Sequence, residues 1–490
     1  MMNPQATAVK TMKMFRVLFL VLVCAELCNS ANPGVKIRVT KKGIDYANSV
    51  AQRLLTQQLR TLGFPNQSSQ SGKTSISVTN IRVEGVSIPS SSIALSPQRN
   101  GLTWAISNFG ITVRANYRAV KRGWIRLSNS GSLRASVSGV TVRETLAFGR
   151  SSSGRPTISH AGCSGSVASV SVRFYGSWSW LINLFRRRIG RSFRDQLRPE
   201  ICKQVIKLVN GKLQTSLAGL PVTADVANNF SVDYRLVTSP RVTSDYIEIS
   251  HKGTVYSKSN RREPPFSAQA IPPWTSNSRM VYVWVTQYSF NTLLYQAHTS
   301  GMLKYQVTRN QLPVNSRSYL DTTCPGACIG NTIPQTLARY PRTSVEMSLE
   351  SAAMPKATMT FNRLTIDVSF KVEAKVRFSN NAVNNLVSFN VNASLTFKPN
   401  IRRENLNGEV TNYSLRLSDI KFANDQVLAT PAQLDTVLTR VLGLTVIPKL
   451  NVLAARGVQL PAPGDARFTN SYISIRQGYL MIGTDVAMTL

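Results

Sequence analysis

Residues 74–83 read TSISVTNIRV, with apolar side chains at Ile76, Val78, Ile81 and Val83 set among Ser, Thr, Asn and Arg. Successive side chains of a β-strand point to opposite faces, so this near-alternation predicts a strand with one buried and one wet face. Stretches 102–113, 124–142 and 167–174 follow the same logic and are rich in Ser, Thr and Val. Further on, 280–285, 359–370, 372–378, 387–397 and 409–420 repeat it, with Gly, Asn and Ser between the runs. Strands of this kind belong to antiparallel sheets. Three segments break the period. Ile44, Ala47, Ala51, Leu54, Leu55, Leu59 and Leu62 recur at helical spacing between Gly43 and Gly63. Leu181, Leu184, Phe185, Ile189, Phe193 and Leu197 form a second stripe, continued after Pro199 by Ile201, Val205, Leu208 and Val209 as far as Leu217. Residues 436–453 form a third helical region, interrupted at Pro448. The expected class is α+β, mostly antiparallel β, with helices flanking strand-rich domains.

The chain has 490 residues, 42% hydrophobic and 17% charged, a folded composition. Lys and Arg number 58 against 23 Asp and Glu, a formal charge of +35. Such a surface attracts an anionic partner: nucleic acid, an acidic membrane, an acidic polysaccharide or a phosphorylated lipid. Compartment narrows the choice. Lys10, Lys13 and Arg16 precede an apolar run over 17–23, and small residues at Cys28 and Ser30 suit cleavage after Ser30. Residues 1–30 are read as a signal peptide and the protein as secreted, so nucleic acid is not its expected partner. The charge is uneven. Residues 31–230 carry 28 Lys+Arg against 6 Asp+Glu, whereas 231–490 carry 27 against 16. A Pro-rich stretch separates the halves, with Pro264-Pro265 and Pro272-Pro273 favouring extended backbone. The expected division is an N-terminal domain over 31–255, a linker over 256–275 and a C-terminal domain over 276–490.

Without the signal, Cys163, Cys202, Cys324 and Cys328 remain, and four thiols allow three pairings. The spacing favours Cys163 with Cys202, leaving Cys324 and Cys328 to close the short loop CPGAC. Four sequons, at Asn66, Asn229, Asn392 and Asn412, are glycosylation candidates. Catalytic signatures are wanting. His160, His251 and His298 lack HExxH spacing, and Gly162-Cys163-Ser164-Gly165-Ser166 misses the GxSxG elbow. Gly72-Lys73-Thr74 imitates the end of a phosphate-binding loop, but Gln67 stands where its first glycine belongs. Neither an enzyme nor a metal site is expected.

Several short motifs together carry a family resemblance. Ala31-Asn32-Pro33-Gly34-Val35 followed by Lys42-Gly43-Ile44-Asp45-Tyr46-Ala47 resembles the mature N-terminus of the bactericidal/permeability-increasing and lipopolysaccharide-binding protein family. Pro89-Ser90-Ser91, Ile106-Ser107-Asn108 and Trp180-Leu181-Ile182-Asn183-Leu184-Phe185 continue it, as do Arg279-Met280-Val281-Tyr282, Phe290-Asn291-Thr292 and Gly301-Met302-Leu303-Lys304. Leu460-Pro461-Ala462-Pro463 and Ile482-Gly483-Thr484-Asp485-Val486 close it. The resemblance implies an elongated boomerang of two barrels, each with helices and an apolar pocket for a phospholipid, joined by a central sheet. It maps the family's single disulfide onto Cys163 and Cys202 and offers no role for Cys324 and Cys328.

The resemblance also implies a ligand, lipopolysaccharide with its lipid A, met at the Gram-negative outer membrane surface by a monomeric protein. Lipid A presents phosphates and acyl chains, so its binder needs cations beside an apolar surface. Arg114, Arg118, Lys121, Arg122 and Arg126 crowd one predicted hairpin, interleaved with Tyr117 and Trp124, and no acidic residue occurs between Trp104 and Arg143. In the family, this hairpin lies at the tip of the first barrel and is implicated in recognising the head group. Lys36, Arg38, Lys41 and Lys42 are candidates to extend that surface. A second cluster, Arg186, Arg187, Arg188, Arg191, Arg194 and Arg198 with Trp178 and Trp180, reads as a membrane-surface helix. The expected function is a secreted, bactericidal, lipopolysaccharide-binding protein of innate immunity. The alternatives are extracellular transfer of phospholipid or neutral lipid, and binding of acidic polysaccharide.

Overall fold

The computed structural model describes residues 32–488 except 62–63, 65, 178–190, 192–193, 196–198, 200–201, 204, 208, 227–228, 424–428 and 462–465. The expected signal segment lies outside the described residues, as do Trp178, Trp180, Arg186, Arg187, Arg188 and Arg198.

The first half opens with β1 (Val35–Thr40), which runs straight into helix α1 (Lys41–Arg60). There follow β2 (Gln67–Ser71), β3 (Thr74–Ser87), β4 (Ser90–Ser96), β5 (Gly101–Lys121), β6 (Leu127–Arg150) and β7 (Pro156–Tyr175). Strands β2, β3, β5, β6 and β7 pair in that order, with β4 added beside β5. All pairings are antiparallel. The irregular spacing inside TSISVTNIRV has a physical cause. The β3–β5 register slips between Thr79 and Arg82, and Asn80 takes a φ of 54°. A bulge residue changes the parity, so Ile76 and Ile81 both reach the core. Bulges also bend strands, and further slips near Phe109 and Val83 help these long strands to curl.

The predicted stripe of α1 is only partly the packing face. Ile44 and Val50 are buried, while Ala47 is exposed and Leu54 is 41% exposed. Polar contacts do much of the docking instead. Asn48 donates to the Ser91 carbonyl at 2.9 Å and Gln52 to the Ile88 carbonyl at 2.6 Å. Of the second predicted helix, Val209–Leu213 form a π-helical turn and Gln214–Ala218 a short α-helix, with Val209 packed on Leu146 and Ile158.

The central sheet ties the chain together. Strand β1 lies between Tyr246–His251 and Val281–Thr286; the latter pairs with Tyr479–Met488, which pairs with Ala466–Arg476. Close approaches explain two glycines of the resemblance. A Cβ on Gly34 would overlap the Lys252 carbonyl, and one on Gly483 the Tyr472 ring.

The third sheet has ten strands, of which Arg363–Arg377, Val383–Arg402 and Asn405–Phe422 are the longest. Thr223–Val226, Phe230–Asp233 and Thr254–Ser257 also hydrogen-bond into it, Val226 pairing with Val458. Helix α2 (Gln287–Thr299) packs near the central sheet, and α3 (Pro431–Leu444) buries Leu434, Val437, Leu438 and Val441 against the third. Thr430 caps α3 through a reciprocal pair with Gln433. The break before α4 (Val446–Arg456) falls at Thr445, ahead of Pro448. Proline fits a first turn but not a helix interior, so the chain restarts there. Each half thus forms a curved antiparallel sheet backed by helices, a half-barrel, on either side of the central sheet: the expected fold class. Two strand limits are corrected. The run 359–370 is interrupted by a tight turn at Phe361-Asn362, where Asn362 adopts φ 57°, and 124–142 begins as a strand only at Leu127.

Candidate functional site: a basic and aromatic sheet tip

Along β5 the period of two puts Val113, Ala115, Tyr117 and Ala119 in the core and Arg114, Asn116 and Arg118 on the exposed face. Tyr117, 2% exposed, meets Phe174 edge to face at 5.1 Å between ring centres. Burial pushes its phenol above the usual pKa. After Lys121 the chain leaves the sheet, and residues 122–126 (Arg-Gly-Trp-Ile-Arg) make the turn into β6. Here apolar groups point to solvent. Trp124 is 99% exposed, Ile125 55% and Leu127 44%.

A second hairpin braces this turn. The Arg122 amide donates to the Lys73 carbonyl at 2.7 Å, holding the β2–β3 turn (Gly72-Lys73) beside the β5–β6 turn. Thr74 and Lys121 are register partners. The tip therefore gathers Lys73, Lys121, Arg122 and Arg126 around Trp124 and Ile125. Lys73 is the member that sequence reasoning missed. It stands 48 positions before Lys121, and only strand pairing brings the two turns together. Arg114 and Arg118 sit farther down the outward face of β5.

The other candidates lie elsewhere. Lys36 belongs to the central sheet, paired with Glu248 at 3.4 Å and placed over the Trp284 ring at 4.8 Å. Burial pushes its ammonium below the usual pKa, against the pull of Glu248. Buried Arg38 donates to Glu248 and to the Trp274 carbonyl and stacks on Tyr246. Lys41 pairs with Asp45, and Lys42 with Asp485 at 3.0 Å. These four cations are engaged where the halves meet and do not join the hairpin tip. Arg191 is exposed, and Arg194 lies 3.6 Å from Asp195. Both expected disulfides form, Cys163–Cys202 and Cys324–Cys328. All four sequon asparagines, Asn66, Asn229, Asn392 and Asn412, are exposed.

Two cavities bear on lipid binding. One, of about 20 Å³, is lined by Val345, Met347, Phe389, Leu434 and Leu438 beneath α3. Its space is closer to one water molecule than to an acyl chain. A larger one, of about 340 Å³, lies between Phe266, Tyr288, Asn291 and Lys356 at the start of α2. Among the described residues no His, Cys, Asp and Glu cluster is arranged to hold a metal. The three histidines bond separately, His160 to Glu144, His251 to the Tyr234 carbonyl and His298 to Ser351.

Residues 43–216 match the N-terminal domain, and 224–488 the C-terminal domain, of the LBP / BPI / CETP family. Over 470 residues the chain is 31% identical to a bactericidal permeability-increasing protein of Sebastes schlegelii, covering 94% of this chain and 96% of that one. It is 27% identical to the human lipopolysaccharide-binding protein, covering 96% of each, and 24% identical to the human phospholipid transfer protein, covering 97% and 94%. The crystal structure of a lipopolysaccharide binding protein superposes with a TM-score of 0.66 at 24% identity, over 94% of this chain and 100% of that one.

Proposed function

This chain belongs to the LBP / BPI / CETP family, and from that footing we propose that it is a secreted protein that binds the lipid A of lipopolysaccharide and damages Gram-negative cells. One observation carries the reading: a fully exposed Trp124 with Ile125 at the apex of the first sheet, ringed by Lys73, Lys121, Arg122 and Arg126. Cations meet lipid phosphates, arginine through paired hydrogen bonds, while an indole suits the boundary between head groups and chains. Each basic residue near an anionic surface contributes roughly 1 kcal/mol, and each buried methylene about 0.8 kcal/mol. Charge then selects the surface and speeds encounter, and apolar contact retains the lipid. The N-terminal signal pattern, two disulfides and four exposed sequons support secretion.

The test is binding of the full chain to vesicles containing lipid A at physiological salt. Reversing two charges in Arg118→Glu/Arg122→Glu removes roughly 4 kcal/mol before screening. A loss of at least tenfold is expected, with an unchanged circular dichroism spectrum; unaltered affinity would refute the tip as the site. A second reading, transfer of phospholipid between particles, is favoured by the likeness to the phospholipid transfer protein along nearly the whole chain. Movement of a fluorescent phospholipid between vesicles without lipid A, set beside killing of Gram-negative cells, separates the two.

A further inference from the structure

The register of the first sheet aligns four arginines across four strands. Arg82 on β3 faces Arg114 on β5, Arg114 faces Arg134 on β6, and Arg134 faces Arg173 on β7. All four are exposed. With neighbouring strands about 4.8 Å apart, the row extends over roughly 14 Å, one guanidinium per strand. Like charges directly opposite one another weaken strand pairing, so this arrangement opposes sheet stability. Glu84 pairs with Arg134 at 2.8 Å, and Arg82 donates to Asn80 at 3.0 Å.

The surroundings of the row differ from the tip. On one side the partnered positions are Thr79, Asn116, Ser132 and Tyr175; on the other they are Gly85, Thr112, Ser136 and Ser171. Beyond Asn116, Arg118 stands between Ser77 and Ser130. Hydroxyl and amide groups dominate, and Tyr175 alone among these neighbours offers a large exposed ring. Nothing comparable to Trp124 with Ile125 is present to receive acyl chains.

We propose that this arginine row is a binding site for a linear acidic polysaccharide, a chain bearing sulfate, phosphate or carboxylate groups on its sugars, laid across β3, β5, β6 and β7. Guanidinium forks match such anions with two parallel hydrogen bonds. The flanking Ser, Thr and Asn side chains donate to and accept from sugar hydroxyls. The site is independent of the lipid reading, because its outer members Arg82, Arg134 and Arg173 lie outside the tip. Arginine stays protonated at all physiological pH, so binding to a sulfated chain is flat between pH 5 and 8, unlike a histidine-based site.

The experiment uses the full chain, immobilised heparin as the probe, and two variants of equal charge change. Arg134→Ser/Arg173→Ser alters the row, and Arg122→Ser/Arg126→Ser alters the tip. The row variant is expected to lose at least tenfold in heparin affinity while keeping its binding to lipid A vesicles, and the tip variant to show the reverse. Arg134→Lys/Arg173→Lys, which keeps charge without the fork, is expected to restore heparin binding only in part. Displacement of heparin by saccharide prepared from lipopolysaccharide by removing its acyl chains would extend the site to bacterial glycans. Its failure, with heparin still lost in the row variant, would confine the site to sulfated chains. Unchanged heparin affinity in the row variant, or equal losses in row and tip variants, would overturn the proposal.

Discussion

Tyr117 and Trp124 lie on one hairpin, seven positions apart, and have opposite surroundings. The alternation of β5 carries Tyr117 into the core beside Phe174, whereas Trp124 falls in a turn whose neighbours are all exposed. Their truncations should therefore separate stability from binding. Tyr117→Ala removes a buried aromatic and should cost about 3–5 kcal/mol in urea unfolding. Trp124→Ser should leave the unfolding midpoint unchanged, yet weaken binding to lipid A vesicles by about 1.5–3 kcal/mol, roughly ten- to a hundredfold. A destabilised Trp124→Ser protein would mean that the ring packs on the fold. Burial on β5 was readable from period two; the exposure of Trp124 was not, because Trp, Ile and Leu in succession look like strand residues.

At the scale of elements, the two disulfides are unequal staples. Cys163 and Cys202 enclose a segment of separation 39, whereas Cys324 and Cys328 are only 4 apart. In the loop-entropy model the first contributes about 4 kcal/mol and the second about 2 kcal/mol. Thermal unfolding of Cys163→Ala/Cys202→Ala and Cys324→Ala/Cys328→Ala should show the larger drop in the first pair; equal drops would contradict the entropic account. The sequence revealed most strands and two of the helical regions, since their hydrophobic periods are local. It did not reveal where α1 packs, because Asn48 and Gln52 dock it through polar bonds that a hydrophobic stripe does not record. The bracing of one turn by another and the alignment of Arg82, Arg114, Arg134 and Arg173 depend on register between distant segments. Composition showed the basic excess of the first half without its pattern.

Across the whole molecule, charge is organised in two ways. On the first sheet the cations are exposed with few acidic partners, whereas around the central sheet they are neutralised. Asp485, despite the cost of burial, is held below the usual carboxylate range by Lys42, the Met280 amide and Arg279. Asp233 is likewise held low by Arg235, against its own desolvation. Such carboxylates stabilise the fold above their unfolded pKa of about 4 and lose that contribution as pH falls toward their depressed folded values. His251 acts in a higher window. Burial lowers its pKa, opposed by its bond to the Tyr234 carbonyl. The unfolded chain takes up a proton near pH 6.5 that the folded chain refuses, so stability falls as pH drops below about 6.5. Urea unfolding at pH 7.5 and 5.5 should show this loss in the wild type and a smaller one in His251→Gln. An equal loss in both would assign the acid sensitivity to other groups.

The position of β1 also sets a timetable. It is among the first segments of the described chain to leave the ribosome, yet its partners Tyr246–His251 and Val281–Thr286 emerge some 200 residues later. The outer neighbour of that second partner, Tyr479–Met488, is among the last residues synthesised. Until translation ends, the central sheet lacks its finishing strands, and apolar edges such as VYVWVT at 281–286 stay open to other chains. Nascent chains stalled before residue 479 should therefore depend on chaperones for solubility, even though the first sheet, built wholly from 67–175, can complete its own pairing much earlier.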